Sequence, residues 1–293
     1  MSPFIPTEFD QNVNVSKANP AIEAVRLVAG LAAIMVVLYV AVAAVLLLAL
    51  PHMPVAWEYA LWQKIMPSDE AVAKEEIQTV RGRQQAYLQE LLDKMPANAK
   101  AAGYQFKVHV EEDDLINAFA LPAGHIVVTT ALLENTASEN TLVFILGHEL
   151  GHYQNRDHLR GMGLGITGIF LSLLVTGDHN AARTILSGVG ELTGAFFSQK
   201  QESRADSWGL KAVQHHYGHV GGSVDFLEYV SESEGRFHIQ WLSTHPLNKK
   251  RIAALRSEIK KNGWLEKSLR ASPWHKQVEE PKTETGQTLQ SHP

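Results

Sequence analysis

The 293-residue chain carries 26 basic and 31 acidic side chains, for a formal net charge of -5, and no cysteine. This balance, with no basic stripe, excludes nucleic acid as a partner. Without cysteine there are no disulfides, thiol nucleophiles or Cys-ligated zinc, so any metal must rest on His, Asp and Glu.

Residues 1–20 form a polar tail. From Leu27 to Leu50 the chain is uncharged. As a helix this stretch covers roughly 36 Å, enough to cross a bilayer. The apolar core of a cleaved signal peptide is shorter, about 7–15 residues. Residues 21–50 are therefore expected to be an uncleaved transmembrane helix, followed by an interfacial linker at 51–69 that holds Trp57, Tyr59 and Trp62. Lys17 and Arg26 precede the span and only Lys64 follows closely, which puts the N-terminus inside and the rest outside. The tail is not Arg-rich, which argues against a mitochondrial presequence. The expected location is the bacterial cytoplasmic membrane, single-pass, with the lipid bilayer as a partner.

A charged helix is expected from Asp69 to Met95, ended by Pro96. The alternation of Tyr104, Phe106, Val108 and Val110 reads as a half-buried strand. NAFALPAGHIVVTTALL (117–133) reads as a hairpin leading into a helix. Ser138 can cap a helix running to about Asn155. Further helices are expected near 200–216, 222–234 and 247–261. The apolar stretches 161–175 and 185–197 are short for spans and read as a helical hairpin packed on the domain or dipping into the bilayer. These elements make a mainly α chain with a small β-sheet (α+β). One domain covers 70–270, and a disordered tail covers 271–293.

Within the helix capped by Ser138 lies GHELGH (147–152). Histidines four apart share a helix face, so His148 and His152 can bind one metal ion while Glu149 reaches a metal-bound water. A third protein ligand is required. His158 falls where HExxHxxGxxH patterns place it, with Asn155 at the left-handed glycine position, but no suitable methionine turn follows. Glu202 in QESRADSWGL is the other candidate, with Asp206 one turn on and able to orient a ligand histidine. HHYGH (215–219) reads as a loop after a helix rather than a metal site. Lys249 and Lys250 read as a solvated helix face.

HELGH, then ESRAD, then STHPLNKKRI (243–252), together with the upstream hairpin, resemble the HtpX-like and CAAX-prenyl-endopeptidase family of zinc metallopeptidases over roughly residues 70–260. Ala123 stands where a second glycine is common. The resemblance implies a gluzincin-type fold and one Zn2+ per chain, held by His148, His152 and Glu202. It implies Glu149 as catalytic base, His245 as stabiliser of the tetrahedral intermediate, and Asp206 and Arg251 as supports. It further implies an edge strand within Asn117–Thr130, including Asn117, Phe119, Gly124 and His125, along which a polypeptide substrate lies. The expected activity is that of a membrane-anchored zinc endopeptidase acting on membrane or envelope proteins. The alternative is a zinc-stabilised chaperone or adaptor with an occluded site. Prenyl-protein processing would need several spans, and one convincing span does not supply them.

Overall fold

The computed structural model describes residues 19–65, 79–96, 100–101, 103–160, 197–232, 241–247 and 249–276. Helix α1 (Pro20–Ala49) starts at Asn19, whose side chain accepts the Ala21 N–H, and Pro20 sits in the first turn where its missing donor costs nothing. Its 30 residues extend about 45 Å. Leu27 and Leu48 are each 75 % exposed, and Ala43 is the one buried residue of α1. A helix that is apolar all round and has so few protein neighbours suits a hydrocarbon surrounding. A single 3-10 turn (Leu50–His52) leads to α2 (Val55–Ile65). Most of the expected linker is therefore helical.

Thr79 caps α3 (Val80–Asp93) by accepting the Gly82 N–H. The expected start of this helix at Asp69 falls outside the described residues. Strand β1 (Lys107–Glu111) is shorter than its sequence alternation suggested, and Val108, His109 and Val110 are all buried rather than alternating. The reason is packing on both faces and along one edge. The side chain of Gln89 on α3 accepts the Val108 N–H at 2.8 Å, and Gln85 accepts that of Val110 at 3.4 Å.

The hairpin forms as expected. Strand β2 (Ala118–Leu121) passes through a 3-10 turn (Pro122–Gly124) into β3 (His125–Thr129). Ala123 (φ 60°) and Gly124 (φ 89°) are both left-handed in this turn. The sheet order is β1-β3-β2, with β1 parallel and β2 antiparallel to β3. Of the expected edge strand 117–130, only the β2 part lies at an edge of the sheet. β3 is central, α3 closes the β1 edge, and among the described residues no strand pairs with the outer edge of β2.

Thr129 caps α4 (Thr130–Asn135), and Ser138 caps α5 (Glu139–Gln154). Every residue of α5 from Glu139 to Tyr153 is buried, which makes it the central rod of the domain. Helix α6 (Gln199–Tyr217) begins with a capping box between Ser198 and Gln201 and ends at left-handed Gly218. After it come α7 (Asp225–Glu232), α8 (Trp241–Thr244) and α9 (Lys249–Asn262). α6 crosses α5 at a glycine seam. A Cβ on Gly147 would lie 2.6 Å from Ala212 Cβ, one on Gly151 would lie 2.8 Å from Ala205 Cα, and one on Gly209 would lie 2.7 Å from the Phe144 carbonyl. The two backbones therefore approach as closely as they can.

The tail boundary expected at 271 is corrected. Ala271 bridges to Ser138, Ser272 N–H donates to the Ala137 carbonyl, and Lys276 N–H donates to that of Glu134. Residues 270–276 satisfy backbone groups from the end of α4 to the first residue of α5, which a polar composition alone does not reveal. The stretches 161–175 and 185–196 lie outside the described residues.

Candidate active site

The glycine seam sets the site. It carries Glu202, in the first turn of α6, against the face of α5 that bears His148 and His152. Nε2 of His148 and Nε2 of His152 are 3.1 Å apart. Glu202 Oε1 is 3.5 Å from His152 Nε2, and Oε2 is 3.7 Å from His148 Nε2. His245, just after α8, adds Nδ1 at 3.2 Å from His148 Nε2 and 3.1 Å from Glu202 Oε1. A tetrahedron with metal–ligand bonds of about 2.0–2.1 Å has edges of roughly 3.3 Å, so these four buried donors fit one zinc-sized ion. They are the group of metal-capable side chains found among the described residues.

The chemistry of the surroundings fits a cation as well. Among the described residues Arg251 is the only buried basic side chain other than histidine, and it faces the buried carboxylates of Glu202 and Asp206 while Glu149 lies across the donor set. Glu149 Oε1 is buried without a hydrogen-bond partner among the described residues. Burial pushes the Glu149 carboxyl up to about 8, with His152 opposing and the neighbouring Glu202 adding to the rise. A metal ion held by these donors would supply the positive charge that lowers it again. Burial also lowers His148 to about 4, which leaves it neutral as a ligand must be.

Carboxylates orient both ligand imidazoles from behind. Asp206 Oδ1 lies 3.0 Å from Nδ1 of His148, and Asp157 Oδ2 lies 3.4 Å from Nδ1 of His152. Asp157 is in turn held by Gln201 Nε2 at 2.8 Å. Asp157 is not among the residues the sequence singles out, although an aspartate just past His152 at a helix end is the signal that would have found it. Trp241 stacks on His245 at 4.6 Å and Phe197 on His152 at 4.1 Å, which fixes the ring planes. Neither aromatic was singled out from sequence.

His158 does not join the cluster. The left-handed residue after α5 is Arg156 (φ 54°), not Asn155, whose side chain instead bonds the Gly151 carbonyl. The chain then turns His158 toward Glu58 at 3.1 Å. Asn117 bonds Thr129 through its backbone N–H and carbonyl. Phe119 is a partly buried residue of β2, Gly124 packs on the Gln105 carbonyl, and His125 stacks on His109 at 4.9 Å. Of these four, only Phe119 lies in the edge strand. In the HHYGH stretch, His219 Nδ1 accepts the Gly221 N–H, and among the described residues none of its histidines enters a metal-capable group.

A buried helix bearing two histidines and a glutamate, with a carboxylate from a crossing helix closing the donor set, defines a zinc metallopeptidase. Residues 82–259 match the model of peptidase family M48, and the chain belongs to that family. It is 29 % identical over 187 residues to the beta-barrel assembly-enhancing protease of Yersinia pestis, covering 58 % of this chain and 38 % of that protein. It is 30 % identical over 163 residues to the mitochondrial metalloendopeptidase OMA1 of Arabidopsis thaliana, covering 54 % and 33 %. With OMA1 of Saccharomyces cerevisiae it shares 26 % over 166 residues, covering 53 % and 47 %. The match thus spans between a third and a half of these relatives.

Proposed function

We propose that this chain is a membrane-anchored zinc endopeptidase in which His148, His152 and Glu202 hold the metal and Glu149 is the general base. The observation that carries this is the meeting of Glu202 with both histidines of the HELGH turn inside the buried cluster. When bound, zinc lowers the pKa of a water and polarises the scissile carbonyl. Glu149 takes the proton of the attacking water and passes it to the leaving amine. Asp206 and Asp157 hold the two imidazoles in the tautomers that direct Nε2 inward. Strand β2 offers an extended polypeptide an edge for backbone pairing without reading its sequence. The test is Glu149→Gln: zinc retained with casein cleavage lost supports the assignment, and retained cleavage contradicts it.

Membrane association rests on α1 and on the outer face of α2, where Trp57 is 68 % and Leu61 36 % exposed, as suits a helix lying at a bilayer surface. The relatives named for β-barrel assembly and for mitochondria favour substrates among membrane or envelope proteins. The order of Lys17, Arg26 and Lys64 favours the outer side of a bacterial cytoplasmic membrane. The finer placement beside the HtpX-like group rests on the hairpin and STHPLNKKRI.

The position of His245 favours a second reading of the resting state. Its Nδ1 stands within the ligand set rather than across from it, so the described conformation is closed at the position a water needs. An occluded site was the feature expected of a zinc-stabilised adaptor. The presence of Glu149 beside the donors favours a peptidase that opens.

A further inference from the structure

Helix α2 puts one carboxylate inside the domain. Glu58 is 1 % exposed, which an ionised side chain tolerates only with its oxygens partnered. Oε1 accepts the Ala123 N–H at 2.8 Å and lies 3.1 Å from Nε2 of His158. Oε2 accepts the Tyr104 hydroxyl and has the Arg156 guanidinium 3.9 Å away. Burial would push this carboxyl up, but His158, Tyr104 and Ala123 together hold it below its usual range. None of these partners belongs to the zinc cluster, and peptide hydrolysis has no direct use for them.

They surround the tip of the β2–β3 hairpin. Ala123 is left-handed there, a conformation that residues other than glycine adopt only when their surroundings impose it. On the other side of the tip, the hydroxyl of Tyr153 lies against the carbonyls of Leu121 and His125. Tyr153 follows His152 directly on α5. The tip is thus gripped between the zinc helix and α2. From the tip β2 runs back along α5 to Ala120, whose backbone amide lies beside the Glu149 carboxylate.

We infer that Glu58 is a positioning residue of the peptidase: by bonding the Ala123 N–H it holds the left-handed turn, and so fixes where β2 lies beside Glu149. The consequence for substrate affinity rests on reading β2 as the strand that takes the substrate. The consequence for Glu149 does not. Because α2 follows α1 after one short turn, this bond also ties the hairpin to the anchor.

The experiment compares Glu58→Gln, Ala123→Gly and the double variant, using the full chain in detergent micelles with zinc content measured in each. The probe is an internally quenched peptide taken from a casein cleavage site. Glu58→Gln removes the charge and one of the two acceptor oxygens shared by Ala123 and Tyr104, and so weakens the grip on the turn. It is expected to raise KM about 3- to 10-fold, the equivalent of one hydrogen bond, with zinc content unchanged. In the Ala123→Gly background the same change is expected to be less than about 2-fold, because glycine enters the left-handed turn unaided. A fall in kcat at constant KM, again suppressed by Ala123→Gly, supports the positioning role while removing β2 as the substrate strand. No change in either constant, or a change of equal size in both backgrounds, overturns the inference. If Glu58→Gln does not fold, Tyr104→Phe takes one donor from the same carboxylate. It must then show a smaller effect with the same dependence on background, and its absence equally overturns the inference.

Discussion

Arg251 grips Asp206 through two hydrogen bonds, Nε to Oδ2 at 2.8 Å and a terminal nitrogen to Oδ1 at 2.7 Å, and its other terminal nitrogen lies 2.7 Å from Glu202 Oε2. One guanidinium thus sets both the carboxylate that orients His148 and the carboxylate that joins it in the donor set. Burial would raise Asp206, but Arg251 and then His148 hold it down to about 2. Arg251→Leu leaves two buried carboxylates without their cation. It is expected to destabilise the domain by about 3–5 kcal/mol. Urea unfolding in micelles measures this, and a loss under about 1 kcal/mol contradicts the role given to Arg251.

The glycine seam gives a separate prediction. Gly151→Ala places a methyl against the Ala205 backbone, and α6 must move away. Overpacking of this kind costs about 1–3 kcal/mol. Because Glu202 rides on α6, zinc affinity should fall together with stability. A chelator titration checks this: a variant that is less stable but binds zinc as tightly as the parent would show that the seam does not place the ligand.

His245→Ala tests the closed resting state. Three protein ligands remain, so the variant should keep its zinc while its fourth position opens to water. Casein cleavage is expected to rise. A fall of about 100-fold or more would instead assign His245 to stabilising the tetrahedral intermediate, as the family resemblance implies.

Acid sensitivity should reach the start of α5. Burial tends to raise the Glu139 carboxyl, but the hydroxyls of Tyr87 at 2.7 Å and Tyr217 at 2.9 Å, with Arg270 at 3.0 Å, hold it below its ordinary 4.5. A carboxyl lowered on folding contributes fully above that ordinary value, and the contribution is lost as pH falls through the folded value. Glu139→Gln should therefore lower thermal stability by about 1–3 kcal/mol at neutral pH. The gap to the parent should narrow as pH falls below about 4. A gap that is constant with pH would mean the charge contributes nothing there.

The zinc helix, its Ser138 cap, the hairpin and the ligand pair were legible because each is a local pattern: a cap, a turn, a four-residue spacing. The spacing alone left Glu202 and His158 as competing third ligands, because a ligand on another helix has no fixed spacing, and the family resemblance is what singled out Glu202. In the fold, left-handed Arg156 turns His158 away from the cluster, and Gly147 and Gly151 let α6 bring Glu202 close. Those glycines stand inside the motif, yet their role depends on a helix some 50 residues further on. The closure of the β1 edge by Gln85 and Gln89, the burial of Glu58 and the docking of residues 270–276 are likewise long-range. Polar side chains that read as solvent-facing are held there by partners far away in sequence.

The most direct test of the account is zinc per chain in the parent, Glu202→Ala and His158→Ala, measured by elemental analysis alongside casein cleavage. About one zinc is expected in the parent, with weakened binding and lost cleavage in Glu202→Ala and retained zinc in His158→Ala. If Glu202→Ala keeps both zinc and cleavage while His158→Ala loses them, the ligand assignment is wrong.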